Sequence, residues 1–387
     1  MALKSGMMCA VLAMIVSGSA YAQVLPRGEI VDDVQCQRDD SQRYALYLPS
    51  YFNPSRPWPV ILTFDGSGRG REGVERYRAA AEKYGYVVAG SNNSRNGPWN
   101  VGLEAAAAMI ADIKARFPVD PRRIYTAGMS GGARVAIMVA QNSSAIAGVL
   151  ASSAGYSTAF HKSERFPFFG SAGTEDFNYR EMQVVDRLMT SPHRVEIFEG
   201  GHTWLPVEMA TSGVEWMEIQ AMKNGSRGRD ETLVAELFSK RVAGANAQPD
   251  NLSRMRELKQ VAADFETLRD VAPIVESAAA LERGPDVAAA LSAEQAADAR
   301  ELRVKNEVDS LVRQLSWPER ADAALVSLKS FVASLLDIAR QPTDSSERRI
   351  ARRVLAGLRA SRGGVRNQNF QAWIAEVQIP APPQPRQ

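Results

Sequence analysis

Five residues constrain this chain most. Gly128-Met129-Ser130-Gly131-Gly132 stand between an apolar run, residues 124–127, and a helix-forming stretch, residues 133–140. A serine on a sharp strand-to-helix turn needs glycines two before and two after it, because side chains there would clash. Such a turn lifts the hydroxyl above the carboxyl edge of a sheet and aims the N-terminus of the next helix at the reacting oxygen. A plain tight turn can carry the same letters, so the flanking strand and helix decide for chemistry.

The surroundings alternate in the way that reading requires. Residues 42–48, 59–64, 86–89, 123–127, 146–151, 167–170 and 194–198 have strand character. Residues 73–84, 101–117, 131–141, 180–189 and 207–222 have helix character. Alternating strands and helices point to an α/β fold with a doubly wound, mainly parallel sheet. Its strands read as nearly continuous apolar runs because both faces are buried.

Residues 23–224 thus form the expected α/β domain, and the polar, glycine-bearing residues 225–230 an expected linker. Residues 231–377 are rich in Ala, Leu, Arg and Glu and carry no strand-like run, so an all-α C-terminal region is expected. Leu258, Val261, Phe265, Leu268, Ala272 and Val275 recur at helical spacing and should share one buried face. Pro273 should kink or end that helix. Trp317-Pro318 should open another helix continued by residues 321–340, with a further one over 347–360. Residues 378–387 are a proline-rich tail. A lid, a self-association unit and a protein-contact surface all fit the helical region.

The first residues read as a leader. Lys4 precedes an apolar run at 7–16, and Ala20-Tyr21-Ala22 has the small-x-small form of a cleavage site. Residues 1–22 are therefore an expected signal peptide, and the mature chain an expected periplasmic or secreted protein. The apolar run is about half of the ~20 residues that span a bilayer, so no integral membrane segment is expected after cleavage. Of the two cysteines only Cys36 would remain, which leaves no intrachain disulfide. A net charge of +2 gives no field that would argue for nucleic acid.

A serine hydroxyl needs a base to take its proton. Of the three histidines, His161 lies in a polar loop and His193 at a strand start. His202 follows Gly200-Gly201 just after the last strand, where a mobile turn can bring the imidazole to Ser130. The acid should lie between serine and histidine in chain order, at a strand end. Glu175 and Asp176 both qualify, and the shorter Asp176 is preferred. An oxyanion needs two backbone N–H donors. One should come from Gly131, the other from Gly66 or Ser67 in Asp65-Gly66-Ser67-Gly68-Arg69-Gly70. That loop lacks the Lys-Ser/Thr ending of a phosphate-binding loop. Trp204 and Trp99, with Tyr156, are candidates to line a substrate site.

The stretch from Asp120 to Gly132 resembles the elbow region of the α/β-hydrolase superfamily. It is most similar to the group of feruloyl esterases, polyhydroxybutyrate depolymerases and dienelactone-hydrolase-like proteins. Gly173-Thr174-Glu175-Asp176 and Gly201-His202-Thr203-Trp204 resemble the same group. The resemblance covers residues 42–224 and implies a triad of Ser130, Asp176 and His202, ester substrates, and neither cofactor nor metal. Two departures stand out. Many relatives have His-Gly where this chain has Asp65-Gly66, and an acid pointing inward there would repel an oxyanion. The chain also lacks the disulfides of several secreted depolymerases. The leading expectation is an exported serine carboxylesterase. A peptidase or acyltransferase using the same triad is the enzymatic alternative, and a binding protein on a degenerate hydrolase fold is the non-enzymatic one.

Overall fold

A computed structural model describes residues 25–156 and 160–382. The expected signal peptide, residues 1–22, and the last five residues of the proline-rich tail lie outside the described residues.

Eight strands form one sheet: β1 (Ile30–Gln35), β2 (Arg43–Tyr47), β3 (Trp58–Asp65), β4 (Val87–Ser91), β5 (Val119–Met129), β6 (Ile146–Ser152), β7 (Phe168–Gly173) and β8 (His193–Phe198). Their spatial order is β1-β2-β4-β3-β5-β6-β7-β8, with β2 antiparallel to both neighbours and every pair from β4 to β8 parallel. Strand β1 was not anticipated. Its sequence, Ile-Val-Asp-Asp-Val-Gln, buries only Val34, as an edge strand does.

The pleat of β3 shows why the strands are apolar throughout. Trp58, Val60, Leu62 and Phe64 face a core shared with α2 (Trp99–Arg116), α3 (Gly131–Asn142) and α4 (Tyr179–Leu188). Ile61, between them, faces a second core shared with α1 (Gly70–Tyr84) and α5 (Val207–Lys223). Alternate side chains thus supply both layers.

Seven helices follow: α6 (Glu231–Asn246), α7 (Asn251–Phe265), α8 (Ala272–Glu282), α9 (Pro285–Gln314), α10 (Pro318–Ala339), α11 (Ser346–Ser361) and α12 (Gln368–Glu376). Asp230, Asp250, Ser345 and Asn367 each accept a backbone N–H and start α6, α7, α11 and α12. The expected apolar stripe holds only in part. Leu258, Val261, Phe265 and Leu268 are buried, but the chain turns after α7, and Ala272 and Val275 are exposed. Pro273 sits in the first turn of α8, where its missing N–H costs nothing.

The helical region is not a tethered appendage. Ile219 and Met222 of α5 share one core with Leu233, Val234 and Leu237 of α6 and Val261 and Phe265 of α7. Each such side chain contributes about 2 kcal/mol by leaving water. Helix α5 is consequently buried on every side from Gly213 to Met222, including Glu215 and Glu218. Those carboxylates are paired: Glu215 accepts from the Tyr84 hydroxyl at 2.7 Å and from Lys240 at 2.7 Å, and Glu218 pairs with Tyr86 and Arg227. The expected linker is pinned by the same contacts, since Arg227 reaches Glu218 and Arg229 donates to the Leu268 carbonyl at 2.7 Å.

A second buried cluster joins β8 to the added helices. Arg194 donates to Glu196 at 2.6 Å and to Glu257 of α7 at 2.7 Å, while Arg241 of α6 reaches Glu196 at 3.1 Å. Burial opposes the ionised form of Glu196, yet Arg194 and Arg241 hold its carboxyl below the usual carboxylate range. Helices α9 to α12 close their own core around Leu328, Val332, Leu355, Phe370 and Ile374. Among the described residues no helix is long and apolar enough to cross a membrane.

Candidate active site

Ser130 lies between the last residue of β5 and the first of α3, with φ 57° and ψ −121°. A positive φ is strained for a residue with a side chain and persists only where the surroundings enforce it. Here the turn is packed so closely that the flanking positions must be glycine. A Cβ on Gly128 would stand 2.3 Å from the Gly132 carbonyl, and one on Gly132 would stand 2.1 Å from the Phe64 carbonyl oxygen of β3. The Ser130 N–H is fixed by the Ser152 carbonyl at 2.9 Å, across to β6.

Ser130 Oγ is 2.8 Å from His202 Nε2, and His202 Nδ1 is 2.8 Å from Asp176 Oδ1. With the proton on Nδ1, the imidazole donates to Asp176 and accepts from the serine hydroxyl. Asp176 is fully buried, and its Oδ1 also accepts the Asn178 N–H at 2.8 Å. His202 keeps a fifth of its side chain exposed, and the Phe177 ring stacks on it at 4.0 Å with a 25° tilt. The loops carrying acid and imidazole are stitched backbone to backbone, Thr174 N–H to Phe198 O and Glu175 N–H to Gly200 O, both at 2.8 Å. His161 and His193 lie elsewhere: His161 is exposed beside Glu164, and His193 contacts the carbonyls of Ser191 and Asp186.

Glu175, the other candidate acid, turns the opposite way. Both its oxygens face the Arg352 guanidinium of α11, at 3.0 and 3.1 Å. Its neighbours are held from the same helix. Arg353 donates to the Thr174 carbonyl at 2.6 Å and forks onto Glu301 of α9 at 2.9 and 2.6 Å, and Arg349 reaches Glu199 at 2.9 Å. Gly357 lies against Phe177, and Pro382 packs on Gly201. None of these contacts was anticipated. A helix with several arginines reads as a solvated surface, and nothing in the sequence marks which of them turn inward.

The expected oxyanion donors separate. The Ser67 N–H is already spent on Asp65 Oδ1 at 2.7 Å, so Ser67 is not a free donor. The N–H groups of Gly66 and Gly131 have no acceptor among the described residues. The Asp65 carboxylate, the departure noted in the sequence, is turned aside: Arg69 donates to it at 2.9 and 3.0 Å and the Trp204 indole at 3.1 Å. That bond also corrects the expectation for Trp204, whose ring is 3% exposed and belongs to the core. Trp99 is 41% exposed at the start of α2. Tyr156 is half-buried against Phe160 and Phe168.

No family model and no curated protein matches this sequence. Solved structures do. A thermostable esterase is similar at 17% identity over 48% of this chain, with a TM-score of 0.38, and the chain spans 61% of that esterase's length. An S-formylglutathione hydrolase from Agrobacterium tumefaciens is similar at 15% identity, over 49% of this chain and 93% of its own, with a TM-score of 0.39. A feruloyl esterase module from Clostridium thermocellum is similar at 15% identity, over 46% and 83%, also at 0.39.

The chain has an α/β-hydrolase fold. Its strand order, the single reversed strand β2 and the strained serine after β5 decide this, and the α6–α12 region is added to it.

Proposed function

We propose that this α/β-hydrolase-fold protein cleaves carboxylic esters through an acyl-enzyme, with Ser130 as nucleophile, His202 as general base and Asp176 as the acid that orients the imidazole. The observation that carries the reading is the unbroken row from Ser130 Oγ through the imidazole to a buried carboxylate, each link 2.8 Å. Such a row has a direct chemical use. As the serine oxygen bonds to the ester carbonyl carbon, its proton passes to His202 Nε2. Asp176 stabilises the imidazolium and keeps the correct tautomer. The carbonyl electron pair moves onto the oxygen, which the N–H groups of Gly131 and Gly66 would face. Collapse breaks the bond to the alcohol oxygen, which takes the proton from Nε2. Water then repeats the sequence on the acyl-serine, releasing the carboxylic acid and restoring Ser130.

Residues 1–22 carry a leader pattern, and on that basis we place the enzyme outside the cytoplasm.

The test is Ser130→Ala. Turnover of short p-nitrophenyl esters should fall by about 10⁶-fold. A fluorophosphonate probe should label the wild type at Ser130 and leave the variant unlabelled. Undiminished turnover in the variant, or wild-type labelling at another residue, refutes the assignment.

A further inference from the structure

The glycine directly after the nucleophile has no explanation in the turn itself, since Gly128 and Gly132 already relieve the backbone crowding. What stands beside it is the side chain of Asn96. A Cβ on Gly131 would lie 1.7 Å from Asn96 Oδ1, and a Cβ on Gly66 would lie 2.7 Å from Oδ1 and 2.9 Å from Nδ2. One carboxamide therefore lies against both Gly66 and Gly131, whose backbone N–H groups have no acceptor among the described residues.

The placement is held by the backbone. The Asn96 N–H donates to the Gly66 carbonyl at 2.7 Å, and Arg95 bridges to Ser67, so the loop after β4 is zipped to the loop after β3. The side chain itself is exposed, and its amide makes no hydrogen bond among the described residues. An amide without partners can turn over to present N–H at either position. It carries no charge, unlike the Asp65 carboxylate nearby, which is neutralised by Arg69.

We propose that Asn96 supplies a third donor to the oxyanion, its Nδ2–H joining the N–H groups of Gly131 and Gly66, and that Gly131 lacks a side chain to make room for it. This rests on the acyl-enzyme reading above. No bond is made or broken by Asn96. Oδ1 is the nearer atom to Gly131, so the amide turns over to bring Nδ2–H to that side; there it would meet charge that exists only in the tetrahedral intermediate and the flanking transition states, and so act on kcat rather than on substrate binding.

The experiment compares wild type, Asn96→Ala and Asn96→Asp with p-nitrophenyl acetate and with an alkyl boronic acid that forms a tetrahedral adduct on a serine. For Asn96→Ala the expected result is a fall in kcat of about 10²-fold, little change in KM, and a loss of boronic acid affinity by a similar factor. Asn96→Asp should be at least as slow, since a carboxylate repels the oxyanion. The thermal unfolding midpoint should not move, because the side chain is exposed and unbonded, and a merely structural role would not produce the parallel loss in adduct affinity. Unchanged kcat in Asn96→Ala overturns the proposal, and so does a faster enzyme, which would make the carboxamide an obstruction. Fluorophosphonate labelling separates the two readings. A wild type labelled at Ser130 beside an unaffected Asn96→Ala defeats this inference alone, whereas an unlabelled wild type defeats the esterase reading and this one with it.

Discussion

On the β3–β5 side of the candidate site, position is set by residues of the α/β region alone. Ser130 stands in a turn where Gly128 and Gly132 leave no room for a side chain against the Gly132 and Phe64 carbonyls, its N–H is tied to Ser152, and the loop at 65–70 is closed by Asp65 on Arg69, Ser67 and Trp204. On the β7–β8 side the equivalent work is shared with residues about 150 to 180 positions downstream. Helix α11 touches the loop of Asp176 at Thr174, Glu175 and Phe177, and the loop of His202 at Glu199. The difference teaches where such a site is vulnerable. A nucleophile held by its own backbone tolerates change elsewhere, whereas an acid–base pair braced by an added region inherits the stability of that region.

Asp176→Asn against Glu175→Gln probes the braced side most sharply. Losing the carboxylate that holds the imidazole should lower kcat by about 10⁴-fold with the fold intact. Glu175→Gln keeps a hydrogen-bonding partner for Arg352 and should leave kcat within a few-fold of wild type. Esterase assays on both variants check this, and a reversed order would make Glu175 the orienting acid.

Arg353→Ala is next. Arg353 and Glu301 are a buried pair, their side chains 8% and 7% exposed, and removing the guanidinium leaves Glu301 uncompensated and the Thr174 carbonyl without this donor. Breaking such a pair costs about 3–5 kcal/mol, which denaturant unfolding would read. Amide hydrogen exchange should quicken at 174–178 and 199–203 and stay unchanged at 128–132. Equal loosening at the serine turn would break the comparison. Arg353→Lys should recover only part of the loss, because an ammonium cannot fork onto Glu301.

What could be read beforehand follows the same division. The sheet was legible because strands buried on both faces are apolar runs punctuated by Gly and Pro, and the order serine, acid, histidine followed from where those runs end. Strand β1 escaped because an edge strand with two aspartates has no apolar run. In the helical region, α11 was visible as a helix, but its meaning depends on Arg349, Arg352 and Arg353 reaching carboxylates and a carbonyl far away in sequence, which no local pattern records. The role of the Ser67 N–H was equally hidden, since it depends on where the Asp65 side chain turns. Asn96 sits in a polar run after β4 that reads as an ordinary loop, and only the approach of two loops gives it a neighbour.

The smallest effect falls on the opposite edge of the sheet. Cys36, just beyond β1, is 4% exposed, and burial, with Asp112 and Asp39 nearby, pushes its thiol up to about 11. An unfolded cysteine loses its proton near pH ~8.5. The folded state therefore holds a proton that the unfolded state has released between those values. The stabilisation is complete below pH ~8.5 and fades as pH rises through about 11. The reactive species is the thiolate, so a maleimide at pH 8 should leave Cys36 unmodified in the native protein and modify it after denaturation, as peptide mass mapping would show. The same protection should persist in Arg353→Ala under native conditions. If Cys36 becomes reactive there while the protein is still folded, damage at α11 crosses the whole sheet, and the two sides of the site are mechanically one.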